Sequence, residues 1–163
     1  MTHAVRGERR VVTALFCDVK GSTAIAEQLD PEEWAEIINE AFGQLIAPIE
    51  RYEGLVARLM GDAVLAFFGA PTAHEDDPHR AVLAALEIVE AIRPYRERLR
   101  RERGIADFDV RIGINTGLAV LGDVGRGVAV EYTALGDAVN VAARVQAAAD
   151  PGTVLVTDST ARL

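Results

Sequence analysis

Residues 55–68 read Leu-Val-Ala-Arg-Leu-Met-Gly-Asp-Ala-Val-Leu-Ala-Phe-Phe and predict a β-hairpin. The apolar runs Leu55–Met60 and Ala63–Phe68 favour two strands, and Gly61-Asp62 between them suits a tight two-residue turn. Side chains of the first strand are expected to alternate strictly between its two faces. Asp62 has two interpretations: a residue that suits turn chemistry, or a metal ligand that needs a second carboxylate from a neighbouring strand.

A second carboxylate follows another apolar run. Residues 10–17 predict a buried strand that delivers Asp18 to its C-terminal edge, and Gly21, Ser22 and Thr23 then open a helix. Free backbone N–H groups and the positive end of the helix dipole at such a point suit a phosphate group. Two aspartates beside a phosphate cradle suggest a two-metal site that acts on a nucleotide.

The composition limits the classes of function. The chain has 163 residues, half of them hydrophobic, which suits one globular domain with a substantial core. A net charge of -8 argues against a nucleic-acid-binding surface. No apolar run approaches the roughly 18 residues of a membrane span, and the first ten residues do not form a signal peptide. Cys17 is the single cysteine and allows no internal disulfide, so a cytoplasmic location is expected.

Helical periodicity is clear in three segments. The first covers about 31–52, with Asp30 as its N-cap and Gly54 after its end. The second covers about 78–103, and the third covers about 137–149. The buried side of the second helix is predicted to include Val82, Leu83, Leu86, Val89 and Ile92.

The loop before the second helix is rich in acidic residues and histidine. Residues 71–78 read Pro-Thr-Ala-His-Glu-Asp-Asp-Pro, and a metal cluster is one interpretation of this composition. Asp77 directly precedes Pro78, an arrangement typical of a helix N-cap. The N-cap interpretation is therefore favoured over metal binding.

The remaining strands complete an α+β pattern. Phe108–Asn115 and Leu118–Val124 are predicted to pair across a turn at Thr116-Gly117, and an extended segment follows from Val128 to Thr133. The last strand is Thr153–Val156. This order predicts an α+β fold with a ferredoxin-like or palm-like β-α-β-β-α-β core, in which the helices pack on one face of the sheet.

The last helix carries two polar residues of interest. Asn140 and Arg144 lie four residues apart and so share a face. A solvated polar stripe is one interpretation. Asn is, however, a poor residue for a helix interior, and its neighbours are mostly alanine and valine, which indicates that its amide has a function. Arg144 offers a planar cation suited to a phosphoryl group under attack.

These motifs together resemble the class III nucleotidyl cyclases, the catalytic domain of adenylyl and guanylyl cyclases. The resemblance runs from about residue 8 to the end of the chain. It rests on Phe-Cys-Asp-Val-Lys-Gly-Ser-Thr at 16–23, Gly-Asp-Ala at 61–63, and Tyr-Thr-Ala-Leu-Gly-Asp-Ala-Val-Asn-Val-Ala-Ala-Arg at 132–144. The three motifs occur in the order and at the spacing of that family.

The resemblance implies a set of site residues. Asp18, the backbone carbonyl of Val19, and Asp62 would hold two divalent cations, Mg²⁺ or Mn²⁺. Asn140 and Arg144 would orient the ribose and stabilise the transition state. The phosphate-binding residues would be Lys20, Gly21, Ser22 and Thr23. In the family the metal ligands and the transition-state residues belong to different protomers, which implies a head-to-tail homodimer with two composite sites.

The implied activity is conversion of ATP to cyclic AMP and pyrophosphate. Two residues bear on the base: Arg58 stands where adenylyl cyclases usually have Lys, and Thr133 fits the subgroup that uses Thr to accept from the adenine amino group. Arg for Lys is not conservative in a tight site, so a guanylyl cyclase or a cyclase of relaxed specificity is the alternative. A catalytically silent module for dimerisation or nucleotide sensing is a further alternative, against which the intact metal ligands argue.

The resemblance also concerns the extent of the domain. It makes residues 1–163 a single cyclase catalytic domain, with any regulatory domains and any membrane attachment outside it. Family members usually continue into a strand whose Lys holds the triphosphate, and the sequence stops at Leu163, before such a residue. A shortened C-terminus is therefore expected.

Overall fold

The computed structural model describes residues 8–124, 131–135 and 137–163. Its elements in chain order are β1 (Glu8–Lys20), α1 (Ser22–Glu27), α2 (Pro31–Arg51), β2 (Leu55–Met60), β3 (Ala63–Phe68), α3 (Asp77–Arg103), β4 (Asp109–Val124), β5 (Glu131–Leu135), α4 (Asp137–Ala148), β6 (Val154–Val156) and α5 (Asp158–Ala161). Among these residues, no helix combines the length and the apolar character that crossing a membrane requires.

The predicted hairpin is confirmed, with one correction to its first strand. β2 and β3 pair antiparallel with the predicted bounds. Strict alternation along β2 is wrong, because the register shifts between Val56 and Arg58. Val56 packs with the core on one face of the sheet, whereas Ala57 and Met60 pack with residues of the other face. A β-bulge explains this pattern, since an extra residue reverses the alternation beyond it.

The sheet has the order β2-β3-β1-β4-β5, and β6 pairs with β4 in parallel. β1 is the central strand and pairs antiparallel with both β3 and β4. The predicted turn at Thr116-Gly117 is wrong, because β4 is one uninterrupted strand that pairs with β1 from Asp109 to Leu121. Thr13 and Thr116 are opposite each other in this ladder, and their hydroxyls lie 3.0 Å apart. Pairing with β1 thus overrides the local turn signal.

The helices α2 and α3 lie on one face of the sheet, and α3 buries a stripe that differs from the predicted one. Ile92 is buried as expected, but Leu86 is 50% exposed. The residues that α3 buries are Asp77, Ala81, Ala84, Ala85, Ile88, Ile92, Tyr95 and Leu99. Small alanines in this stripe suit close packing, so the bulkier Leu86 faces outward. The Tyr95 hydroxyl donates to the Ile37 carbonyl at 2.8 Å and joins the two helices.

The third long helix, α4, lies on the opposite face. Its Ala142 packs in a second cluster with Val12, Ala14 and Phe67. The backbones of α4 and β4 approach each other closely, because a Cβ atom at Gly113 of β4 would lie 2.3 Å from the backbone nitrogen of Gln146. The α+β class and the β-α-β-β-α-β core are as predicted, but the one-sided arrangement holds only for α2 and α3.

The predicted N-cap of α3, Asp77, is wrong by one residue. The residue at the N-cap position is Asp76, and α3 already begins at Asp77. The Asp77 carboxylate accepts a hydrogen bond from the His74 backbone N–H at 2.8 Å and lies 3.2 Å from His74 Nδ1. Within the described ranges, no group of three or more His, Cys, Asp or Glu side chains is arranged to hold a metal ion.

Gly113 provides a test of the α4 packing. We expect Gly113→Ala to lower the free energy of unfolding by about 2–3 kcal/mol, because the new methyl group meets backbone atoms that have no room to move. Urea denaturation monitored by circular dichroism measures the change. Gly43→Ala in α2 is the matched control: it meets no atom within 4 Å and should stabilise the helix by about 0.5–1 kcal/mol. Equal stability of the Gly113 variant and the wild type would contradict this packing.

Candidate active site

The two predicted carboxylates lie at the same edge of the sheet. In the antiparallel pairing of β1 with β3, Asp18 is opposite Ala63, the residue after Asp62. The Val19 backbone N–H donates to the Asp62 carbonyl at 3.1 Å, which joins the end of β1 to the hairpin turn. The Asp18 side chain is 20% exposed, so its carboxylate is accessible from solvent. Adjacent strand ends therefore place the backbones of the two aspartates that the sequence singled out next to each other.

Asp62 is held by the start of α1. The Ser22 hydroxyl donates a hydrogen bond to the Asp62 carboxylate. Gly21 precedes the helix with φ of 72°, a left-handed conformation that glycine adopts without strain and that turns the chain from β1 into α1. A cavity of about 460 Å³ opens beside these residues, lined by Ser22, Thr23, Ala26, Glu27, Trp34, Gly61 and Asp62. Because α1 has only six residues, its dipole contributes little to binding there.

Asp18 has a partner that the sequence reasoning missed. Arg111 of β4 is directly opposite Asp18 in the ladder. Its Nη2 and Nε donate to the two carboxylate oxygens at 3.2 and 3.4 Å, and its Nη1 donates to the Ala147 carbonyl at 3.4 Å. The available signal was the position of Arg111 between Val110 and Ile112 in a predicted strand. It could not be interpreted without the register of β1 against β4.

The donor set fits hard divalent cations. Asp18 and Asp62 supply carboxylate oxygens, and Val19, the residue after Asp18 in β1, supplies a backbone carbonyl, so these three candidate ligands are all oxygen atoms. Mg²⁺ is typically bound through one or two carboxylates together with substrate phosphates. A site with two carboxylates and no third acidic or histidine side chain among the described residues therefore suits a metal that binds with a nucleotide.

The predicted transition-state residues lie on the outer side of α4. Asn140 and Arg144 are exposed, whereas the buried side of the helix consists of Ala138, Ala142 and Gln146. Arg144 Nη2 lies 3.8 Å from the Asp137 carboxylate. In the part of the chain that the structure describes, neither residue forms a hydrogen bond or ion pair with Asp18 or Asp62.

The base-recognition residues are less fully defined. Arg58 is exposed on β2. Thr133 belongs to β5 and is opposite Gly122 in the ladder with β4, but its side chain lies outside the described part of the structure. Gly136 of the third motif also lies outside it. The roles of Arg58 and Thr133 remain predictions.

Cys17, next to Asp18, is shielded from solvent. Its side chain is fully buried in β1. Burial raises the pKa of the Cys17 thiol far above its usual range, and the negative charge of Asp18 raises it further. A buried protonated thiol is a poor nucleophile and a poor metal ligand.

Two solved structures that are similar to this chain are nucleotidyl cyclases. The guanylyl cyclase Cya2 is similar with a TM-score of 0.89 and 33% identity, covering 96% of this chain and 79% of that chain. The adenylyl cyclase CyaB from P. aeruginosa is similar with a TM-score of 0.89 and 27% identity, covering 96% of this chain and 81% of that chain. The fold is thus that of cyclase catalytic domains.

Sequence comparison gives the family. Residues 5–163 match the model of the adenylate and guanylate cyclase catalytic domain, and the chain belongs to this family of class III nucleotidyl cyclases. Adenylate cyclase 1 of Rhizobium meliloti (strain 1021) is 36% identical over 138 residues, which are 85% of this chain and 21% of that protein. The chain spans about a fifth to a quarter of the length of the curated relatives that it matches first.

Proposed function

We propose that this catalytic domain converts ATP to cyclic AMP and pyrophosphate. The observation that carries the proposal is the pair of carboxylates at one sheet edge, Asp18 beside Arg111 and Asp62 beside Ser22, in a chain of the cyclase family. The similarity to an adenylate cyclase of Rhizobium meliloti supports ATP as the substrate.

Each group of residues has its own task in this reaction. Asp18, the Val19 carbonyl and Asp62 would hold two divalent cations, Mg²⁺ or Mn²⁺, which would lower the pKa of the ribose 3′-hydroxyl and neutralise charge on the triphosphate. Residues 20–23 bind phosphate groups. The 3′-oxygen attacks the α-phosphorus, pyrophosphate leaves, and Asn140 and Arg144 orient the ribose and stabilise the developing charge. The protein supplies position and charge, and forms no covalent bond to the substrate.

A head-to-tail homodimer completes the site. Asn140 and Arg144 are exposed on α4 and, among the described residues, form no hydrogen bond or ion pair with the aspartates of their own chain. A second copy can bring these side chains to the carboxylate edge of the first. By symmetry, the first copy does the same for the second, which gives two composite sites.

The second candidate function is a guanylyl cyclase, which the 33% identity to Cya2 favours. The hydrogen-bonding groups of the two bases decide between them. Arg58 has only donors, and can reach adenine N1 or guanine O6, but cannot accept from the N–H groups of guanine. Thr133 can accept from the adenine amino group or donate to guanine O6. ATP is therefore the better match.

We also infer that residues 1–163 act as one catalytic domain, because the family model extends over residues 5–163. Curated relatives are several times longer, which supports regulation by segments outside the domain. The buried, unpaired Cys17 supports the expected cytoplasmic location.

The metal ligands give the first test of this function. We expect Asp18→Ala and Asp62→Ala each to lower kcat/KM for cyclic AMP formation by at least about a thousandfold, because a two-metal site loses one of its carboxylates. Product analysis with Mn²⁺ or Mg²⁺ measures the loss, and circular dichroism checks the fold. Asp158→Ala is the control: this exposed carboxylate at the start of α5 pairs with Arg162, the residue after the helix, and its removal should leave activity unchanged. Near-normal turnover of either site variant would exclude the metal assignment.

The composite site gives the second test. Asp62→Ala and Arg144→Ala chains should each be inactive, and a mixture should regain activity, because a heterodimer rebuilds one complete site. Arg144 is 70% exposed on its side chain, so its removal should not disturb the fold. Cyclic AMP formation is measured before and after mixing, with subunit exchange followed by fluorescence. No recovery despite exchange would argue against sites shared between protomers.

Arg58 gives the third test. The unmodified chain should turn over ATP faster than GTP by about tenfold, since an N–H donor left unpaired in a tight pocket costs about 1–3 kcal/mol. Arg58→Lys should raise the ATP rate, because Lys offers a compact donor in place of a planar fork. Arg93→Lys, at an exposed position of α3, is the matched control and should change neither rate. Faster turnover of GTP by the unmodified chain would establish the guanylyl cyclase instead.

A further inference from the structure

Asp18 and Arg111 form an ion pair at the proposed metal site. The two residues are opposite each other on β1 and β4, and both nitrogen–oxygen contacts are made by side chains that are partly buried. The exposed fractions are 20% for Asp18 and 27% for Arg111. Partial burial strengthens the pair relative to one on the open surface.

Arg111 also has an acceptor that does not belong to the pair. Its Nη1 donates to the Ala147 carbonyl, at the end of α4, at 3.4 Å. Carbonyl groups in the last turn of a helix lack intrahelical partners and carry the negative end of the helix dipole. The guanidinium therefore keeps one favourable contact when its contacts with Asp18 are broken.

Asp62 is held differently. Its partner is the neutral hydroxyl of Ser22, and among the described residues Arg111 is the only cation that forms an ion pair with either aspartate. Among the described ion pairs, the positive charge that would oppose cation binding therefore lies at Asp18 and not at Asp62. A divalent cation at Asp18 would lie close to the guanidinium, and the two positive charges would repel each other.

We propose that Arg111 is an exchangeable counter-ion of the metal site. It pairs with Asp18 in the cation-free chain, gives up this carboxylate when a divalent cation binds, and stays attached to the end of α4. Arg111 is thus a positioning residue that lowers the affinity of the free chain for the cation. This inference rests on the proposed function, because it takes Asp18 as a metal ligand.

The test is Mn²⁺ binding to the nucleotide-free full chain, measured by electron paramagnetic resonance. We expect Arg111→Met to bind Mn²⁺ about three- to tenfold more tightly than the wild type, because the competing charge is gone. The matched control is Arg96→Met. Arg96 is also partly buried and pairs with a carboxylate, that of Asp109, and it donates to the Phe108 carbonyl. This variant should keep the wild-type affinity.

Unchanged or weaker Mn²⁺ affinity in Arg111→Met would overturn the exchange. An equal gain in Mn²⁺ affinity in Arg96→Met would also overturn it, because that result would indicate a simple effect of net charge. Asp18→Asn separates this inference from the proposed function. If Asp18→Asn binds Mn²⁺ as the wild type does, the metal site itself is wrong. If Asp18→Asn loses binding while Arg111→Met shows no gain, only the exchange is wrong.

A measurement on the unmodified chain removes any dependence on the folding of variants. In ¹⁵N-labelled protein, adding Mg²⁺ should shift the Nε–H resonance of Arg111, because its acceptor on Asp18 is lost. The Nε–H resonance of Arg96, which donates to the Phe108 carbonyl, should stay in place. An Arg111 resonance that does not respond to saturating Mg²⁺ would overturn the proposal.

Discussion

The ladder between β1 and β4 is the constraint on which the site depends. The two strands pair from Glu8 opposite Leu121 to Lys20 opposite Asp109. β1 is central, so its alternating side chains enter the cores on both faces of the sheet. This double burial leaves β1 no freedom to slip, because a shift of one residue would reverse every side chain. The register then places Asp18 opposite Arg111 without any further requirement.

The same ladder determines how α4 is held. Gly113 is opposite Phe16, two residues from Asp18, and its missing side chain lets α4 approach the sheet at Ala142 and Gln146. With that side of the helix buried, Asn140 and Arg144 must face outward. The pairing of two strands therefore orients both groups of proposed catalytic residues in one chain.

The sequence predicted the elements that local signals define. The hairpin around Gly61-Asp62 and the helices α2 and α4 follow from turn chemistry and helical spacing within short segments. The predictions were wrong where contacts between distant segments of the chain determine the local structure. Thr116-Gly117 has the composition of a turn, but its pairing with β1 makes it part of a strand. Leu86 has the character of a core residue, but alanines occupy the buried side of α3. Arg111 was missed because its meaning depends on a partner 93 residues away.

This division explains why the carboxylates could be predicted and their partners could not. Asp18 and Asp62 stand at strand ends inside short motifs, where chemistry and local structure coincide. Ser22 donates a hydrogen bond to Asp62, and Arg111 donates to Asp18. Another hydrogen-bond donor of suitable length could fill either position, so the sequence alone does not identify these partners. Two carboxylates at neighbouring strand ends repel each other when they lie close together, unless neighbouring donors offset their charge. The fold meets this requirement with a hydroxyl for one and a guanidinium for the other, so the two aspartates are not equivalent before any cation binds.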